Sequence, residues 1–573
     1  MDVIKNDAPV NNGRYGRYNG RWIRLIYPFK NIVTRRTDPT EETQRIIIGC
    51  NNNISLRIIG GNFVEDDLID TQSTVKNLEA GEHTIYVSNT ASTIYLYNPG
   101  AITKIDFGSD EESDTDKFQF RFDLSSLVDM TSLTTLNLKG LSCVTGSIHN
   151  LAYLTELTTV DIGESPYITG DLSDLSRLTK LTTLDLAKAA SITGDLSHLE
   201  RFTNLIKLKF GAATNVTGNL KSLSGLISIK DLDIGGNVVV GSFDDISAFT
   251  LLTKLGIHSE SISLTLSQIA ALTNLIKLDL SNCTSVTGAL SDLSTMPNLT
   301  DLNLSGCSKV TVILSKLKNL PSLKYANLLS TSVSGTCTDL STLTNLVSLE
   351  LNSSAITGAL SSLNGLTSLK KLHLVGCTNN KFTGSINDLS SLTNLTSLSL
   401  ESNCQGASGQ TYGLVGTFSH LRGLKKLKSL TLVNSGSTTG HSFNGALSAL
   451  AELEHLTNLT LSAKYDNQIT GDLSGLAALK NLTCLSLTSL SLTGSLSSLN
   501  SLTNLTTVSL LKGKFTGDLS DLNQLNNLIS LNLNGGCTNV TGVASSMNVY
   551  APKLRSFDYN NTQITGTWTR ISD

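Results

Sequence analysis

Apolar and polar residues alternate between Phe122 and Gly566 in a pattern that returns every 23 or 24 residues through most of the chain. One unit reads ITGDLSDLSRLTKLTTLDL, from Ile168 to Leu186. In its last part Leu181, Leu184 and Leu186 fall on one side, while Thr183 and Asp185 fall on the other, the two-residue period of a strand. The following I-T-G-D-L segment alternates again, with Ile192, Gly194 and Leu196 inward and Thr193 and Asp195 outward. Beyond it apolar residues recur at every third position, Leu196, Leu199, Phe202, Leu205 and Leu208, the spacing of a 3₁₀-like or extended turn. A period this short leaves no room for a ten-residue helix in addition. The pattern therefore predicts stacked coils of short strands and tight turns, forming two parallel sheets around a narrow apolar interior.

The Gly of I-T-G makes the coils countable. It recurs from Gly146, Gly170, Gly194 and Gly218 through to Gly542 and Gly566, with Leu264 and Val312 substituting in two coils and Phe122 as a degenerate first member. That makes about eighteen or nineteen coils. Because both substitutes are apolar, the slot is read as pointing inward, with Gly chosen for room and not for a positive φ. Gly170, Gly194 and Gly218 are then expected to line up in a column. Cys283, Cys307 and Cys377 share a slot three residues past the strand's last Leu and read as small buried residues.

L-x-x-L-x-L followed by a Cys or Asn slot resembles the leucine-rich repeat, and the T-G-x-L continuation resembles its plant-type variant with a second sheet. The resemblance covers roughly residues 102 to 570. It departs from the plant pattern in lacking I-P after T-G and in carrying Thr or Ser where Asn often caps the turn. It implies a β-rich leucine-rich repeat solenoid with parallel sheets and few helices, and a binding scaffold whose ligand the fold does not specify.

The flanks differ from the repeats. Residues 1–45 interleave Arg14, Arg17, Arg21 and Arg24 with Tyr15, Tyr18 and Trp22. Arg, Tyr and Trp are favoured interface anchors, so this stretch is read as an arm that docks on a larger assembly. Residues 46–100 hold short runs rich in Ile, Val and Tyr and read as a small β module capping residues 101–573, the solenoid proper. The loop at 108–116, GSDEESDTD, is acidic but lacks the pattern of a calcium site.

Regularity fails between residues 375 and 470, where successive steps lengthen to 26, 32, 29 and 26 residues. The additions all follow the strand's last Leu and so leave one edge of neighbouring coils. They are expected to form one protrusion carrying Asn380, Lys381, Gln410, Tyr412, His441, Phe443, Tyr465 and Asn467, the candidate ligand-binding residues. The second outward strand position is acidic or amide-bearing in early coils (Asn137, Asp161, Asp185) and hydroxyl-bearing in later ones (Ser399, Thr431, Thr460). Stacked Asp161 and Asp185 should repel unless a cation or Lys188 offsets them.

Composition narrows the function class. Charged residues are 16%, aromatics 5%, and the formal charge is −4, which argues against nonspecific nucleic-acid binding. The nine cysteines contain no C-x-x-C and read as reduced thiols. No apolar run long enough for a membrane span and no secretory signal is visible, and no metal site, cofactor motif or catalytic constellation is found. The chain is therefore read as a non-enzymatic recognition or adhesion protein. Its arm would attach it to a virion, in the manner of a bacteriophage fibre, and its solenoid would bind a host surface protein or glycan, with homo-oligomerisation left open. The alternatives are a bacterial cell-surface adhesin and an intracellular interaction scaffold in the cytoplasm.

Overall fold

The computed structural model describes residues 15–18, 21–24, 29–31, 43–50, 54–59, 63–65, 68–69, 75–88, 93–97, 99–106, 120–141, 144–211, 215–235, 239–352, 355–377, 382–402, 414–434, 443–463, 469–489, 491–535 and 537–570. They fall into two compact units, Met1–Leu275 and Ile276–Asp573.

The first unit begins with an antiparallel hairpin of β1 (Tyr15–Tyr18) and β2 (Arg21–Arg24), whose backbone register pairs position 17 with 22 and 15 with 24. Strands β3 (Phe29–Asn31), β4 (Thr43–Cys50), β5 (Ile54–Ile59), β6 (Phe63–Glu65), β7 (Leu68–Ile69), β8 (Val75–Leu78), β9 (Gly81–Ser88) and β10 (Thr93–Tyr97) follow. The repeats start at β11 (Ile102–Asp106) and β12 (Phe120–Asp123). Strand β4 pairs antiparallel with both β11 and β9, bringing Ile48 opposite Ile105. Strand β3 pairs antiparallel with β12 and β10, and β5 and β8 extend that layer. Both repeat sheets thus end on antiparallel partners, which occupy the hydrogen-bonding edge that one more parallel coil would otherwise extend. The arm expected over residues 1–45 is therefore not separate throughout. Residues 29–31 are a strand of this layer, and β4 crosses the expected boundary at residue 45.

Within each unit the coils repeat one plan. First-sheet strands such as Thr159–Asp161 and Thr183–Asp185 pair parallel with equivalent residues opposite, Val160 beside Leu184. The second sheet is sheared: Gly170 lies opposite Ile192 and Asp171 opposite Thr193, so the I-T-G glycines do not face one another, contrary to the sequence expectation. Between the sheets lies a four-residue 3₁₀ turn, as at Leu196–Leu199, where Asp195 accepts from the Ser197 N–H at 2.9 Å. Leu181, Leu184, Leu186, Leu196, Leu199, Phe202, Leu205 and Leu208 are all fully buried. At about 25 cal/mol per Å² these columns supply the main force holding the coils together.

The glycine slot also corrects the sequence reading. Gly194 has φ +118, and a Cβ there would lie 2.8 Å from the Leu172 nitrogen of the preceding coil. Positive φ and close approach both demand glycine. Leu264 and Val312 have no positive φ; there the backbone changes instead, and each buries its side chain in the core.

One side chain helps to end several of the first-sheet strands. In several coils an Asn or Asp at the second outward position accepts from the backbone N–H two residues on, as Asn303 does from Ser305 at 3.1 Å and Asn532 does from Asn534 at 3.0 Å, whereas the strand of Asp233, Asp231–Gly235, runs to five residues. This Asx turn ends Asp301–Asn303 and Ser530–Asn532 after three residues. Where the position is His, Ser or Thr the strands run on: Lys371–Cys377, Ser397–Ser402, Ser429–Asn434 and Asn458–Ala463 span six or seven residues. These longer strands lead into the segments that lengthen the coils. The second unit closes on Trp568, which packs edge-on to Phe557 at 6.1 Å and donates to Asn548 Oδ1 at 2.9 Å.

Candidate functional site

The polar residues that fill this chain divide into two populations. One is committed to holding coils together. Thr134 donates to the Thr103 carbonyl, Thr158 to Thr134 and Thr182 to Thr158, all within 3.1 Å, a ladder of hydroxyls one coil apart. Asn481, Asn504 and Asn527 donate to the carbonyls of Glu454, Lys480 and Thr503 in the same way. The Thr of T-G-D reaches the carboxylate of the preceding coil, Thr193 to Asp171 at 3.1 Å and Thr541 to Asp518 at 3.0 Å. Sequence reasoning misses these ladders, although the recurrence of L-T-N-L and I-T-G-D at one spacing is their signal. They give backbone carbonyls a side-chain donor at many of the joints between coils.

The second population lies on the first-sheet face, where side chains point outward from the strands and not along the joints between coils. In the first unit it forms a site. Thr135, Thr159 and Thr183 stand in register on adjacent strands, with Lys104 at one end of the row and Lys207 at the other. Beside them run Asp106, Asn137 and Asp161, while Gly81 and Glu82 of the capping layer wall one side, enclosing a depression of about 800 Å³. Lys104 bonds Glu82 at 2.9 Å and lies 3.7 Å from Asp106.

The far end of the depression holds an unusual charge arrangement. Asp185 and Asp161 point to the outer face of the sheet, yet they are only 5% and 8% exposed. Lys207 covers both, at 2.9 Å from Asp185 and 3.6 Å from Asp161. It reaches Asp185 along the diagonal, because Thr183 is its register partner. Lys188, the sequence candidate for this task, instead pairs with Glu164 at 3.0 Å. Burial, followed by the charge of Asp185, pushes the Asp161 carboxyl up to about 6, against the pull of Lys207 and of the Gly163 N–H. For Lys207 burial works in the other direction, but the carboxylates outweigh it and hold the ammonium above its ordinary value. No described group of three His, Cys, Asp or Glu side chains is placed to share a metal.

The face of the second unit begins with a similar cluster and then changes. Glu350 bonds Lys371 at 2.8 Å and lies 3.5 Å from His373, and the His373 hydrogen bond, followed by opposing burial, leaves its carboxyl below the usual range. Further on, Ser399, Thr431, Thr460, Ser486 and Ser509 stand in one register row, half-buried, with no hydrogen-bond partner for their hydroxyls among the described residues.

The sequence candidates fare unevenly. Phe443 does not belong to a protrusion: it opens the strand Phe443–Ala446, is 2% exposed, and fills the apolar position that Ile192 fills in I-T-G. F-N-G aligned on I-T-G would have revealed this. Asn380, Lys381, Gln410, Tyr412, His441, Tyr465, Asn467, Arg14 and the acidic loop 108–116 lie outside the described residues. Tyr15, Arg17, Tyr18, Arg21, Trp22 and Arg24 lie in the β1–β2 hairpin. Among the cysteines, Cys307 and Cys537 are buried and donate to the Leu280 and Leu510 carbonyls of preceding coils. Burial pushes both thiols up to about 12. Ser165 makes the equivalent bond to Leu138, as a slot for a small residue requires. No helix among the described residues is long and apolar enough to cross a membrane.

Similar folds occur among solved structures. The TDR receptor is 20% identical over 77% of this chain and 87% of its own, with a TM-score of 0.44. The Arabidopsis receptor kinase HAESA, solved with the peptide hormone IDA and the co-receptor SERK1, is 17% identical over 81% of this chain and 83% of its own, with a TM-score of 0.41. A leucine-rich repeat protein of Leptospira interrogans is 19% identical over 68% and 92%, also with a TM-score of 0.41. No curated protein matches the chain by sequence. The family model described as a leucine-rich repeat region matches residues 282–569, half of the chain, and the chain belongs to the leucine-rich repeat family.

Proposed function

We propose that this chain is a non-enzymatic recognition protein that binds a surface protein or glycan through the first-sheet faces of its coils. One observation carries the reading, the division of polar side chains into two populations. Thr134, Thr158 and Thr182 are tied to backbone carbonyls, whereas Thr135, Thr159 and Thr183, one residue along, offer their hydroxyls to solvent. A merely solubilising face needs neither three hydroxyls in register nor two carboxylates kept out of water beside them, an arrangement that works against stability.

Two further elements complete the proposal. The residues added between 375 and 470, with Asn380, Lys381, Gln410, Tyr412, His441, Tyr465 and Asn467, border the target. The Arg- and aromatic-rich hairpin docks the chain on a larger assembly, a virion in the leading reading, or anchors it at a bacterial surface or to a scaffold in the alternatives.

The test replaces Thr135, Thr159 and Thr183 by Val together. This keeps strand propensity and the ladder at Thr134, Thr158 and Thr182. Binding to arrays of surface proteins and glycans should fall at least tenfold with unchanged circular dichroism; identical binding refutes the use of this face. Co-sedimentation with particles after Arg17, Arg21, Trp22 and Arg24 are replaced by Ala tests the docking element separately.

A further inference from the structure

We propose that the first-sheet face of the second unit, between the strands Ser397–Ser402 and Ser530–Asn532, binds a neutral, extended polysaccharide laid across the strands. This rests on the strand-face reading above and names the ligand class for one stretch of it.

The chemistry of the row excludes other classes. On six successive strands the first two outward positions hold Ser, Thr, Asn and one Cys, and the charged side chain of these strands is Glu401, at the third outward position of the first strand of the row. Beyond Glu401, on the five strands from Ser429–Asn434 to Ser530–Asn532, an ionic ligand would lose water without gaining a counter-charge. The first unit, by contrast, places Lys104, Asp106, Asp161 and Lys207 around its depression. Protein interfaces depend on Trp, Tyr and Arg anchors, and none occupies these outward positions. What the row does offer is hydroxyls, each both a donor and an acceptor, the group that best matches another hydroxyl. Their short side chains lose little rotamer freedom when they bind.

Spacing favours the same ligand. Ser399, Thr431, Thr460, Ser486 and Ser509 are register partners, so the hydroxyls repeat at about 4.8 Å, the distance between strands. An extended chain of pyranose rings advances by roughly that distance per sugar, so successive rings keep step with successive strands. An extended peptide advances about 3.4 Å per residue and repeats its sides only at twice that, so it falls out of step within a few strands. The row is bounded before it by Glu350, Lys371 and His373 and after it by Asp558.

The experiment uses the full chain on a panel of immobilised polysaccharides, neutral (glucans, mannans, galactans) and acidic (pectin, hyaluronan), beside an array of surface proteins. The variant T431V/T460V/S486A removes three hydroxyls of the row and keeps the strands, which hydrogen exchange verifies. At least one neutral polysaccharide should be retained, with binding lowered at least tenfold in the variant and little affected by raising salt from 50 to 500 mM. Retention of acidic polysaccharides only, of none, or equal retention by the variant overturns the inference. A protein ligand lost on T135V/T159V/T183V, with no neutral polysaccharide bound, overturns it while leaving the strand-face reading intact. Binding indifferent to substitutions on either face overturns both.

Discussion

Replacing Asp161 by Asn tests whether the face of the first unit retains a charge at the expense of stability. Folding raises this carboxyl from 3.8 to about 6. The folded state therefore holds the proton more tightly than the unfolded chain does. The resulting stabilisation is complete below about pH 4 and is lost as pH rises through 6. That difference corresponds to about 3 kcal/mol. The substituted amide carries no charge to desolvate and should still accept from the Gly163 N–H, as Asn137 accepts from Lys139 in the neighbouring coil at 3.2 Å. Relative to the native chain, D161N should therefore gain stability between pH 4 and pH 8 by an amount on the order of 3 kcal/mol, reduced by the lost contact with Lys207. Repeat arrays open locally, so the assay is hydrogen exchange over residues 156–190 at several pH values, corrected for intrinsic rates. Equal pH dependence in both proteins would refute the reasoning, as would a variant that becomes relatively less stable towards pH 8.

Further predictions follow from the joints between coils. Gly194→Ala should lower stability by about 1–3 kcal/mol in urea unfolding, because φ is +118 and the new Cβ would meet Leu172, whereas Gly225→Ala, with nothing within 4 Å, should be near neutral. The carboxyls of Asp171, Asp195 and Asp518 are lowered chiefly by hydrogen bonds from Ser173, Ser197 and Ser520. Their contribution is present above about pH 4 and lost as acid protonates them, so the triple Asn variant should show a shallower loss of stability between pH 5 and 2. Cys307 and Cys537 should resist iodoacetamide at pH 8 until urea opens the coils, since burial holds both thiols near 12. Mass spectrometry of the alkylated peptides reads this out.

Much of the local plan is legible in the residues alone. The alternation of Leu181, Leu184 and Leu186 with Thr183 and Asp185 specifies a strand, and the three-residue spacing after Leu196 specifies the 3₁₀ turn, because both periods are properties of a few consecutive backbone angles. The slot shared by Cys283 and Cys307 is likewise readable as small and buried. The glycine slot is not readable in this way, because φ depends on how far one coil shears past the next, and Leu264 and Val312 answer by changing the backbone.

The site is less legible for a related reason. Thr134 and Thr135 are the same residue type one position apart, yet one is tied to Thr103 and the other lines the depression. Only the stacking of coils distinguishes them, through which carbonyl lies within reach. Lys207, not Lys188, neutralises Asp185 because register places it diagonally across the strands. Phe443 reads as a surface residue in the sequence because the irregular step hides its alignment with Ile192. Sequence by itself therefore determined the coil, its strands and its apolar columns, which depend on near neighbours along the chain. Tertiary structure decided which polar groups remain available for a partner, because that depends on atoms 24 residues away that only the packing of coils brings together.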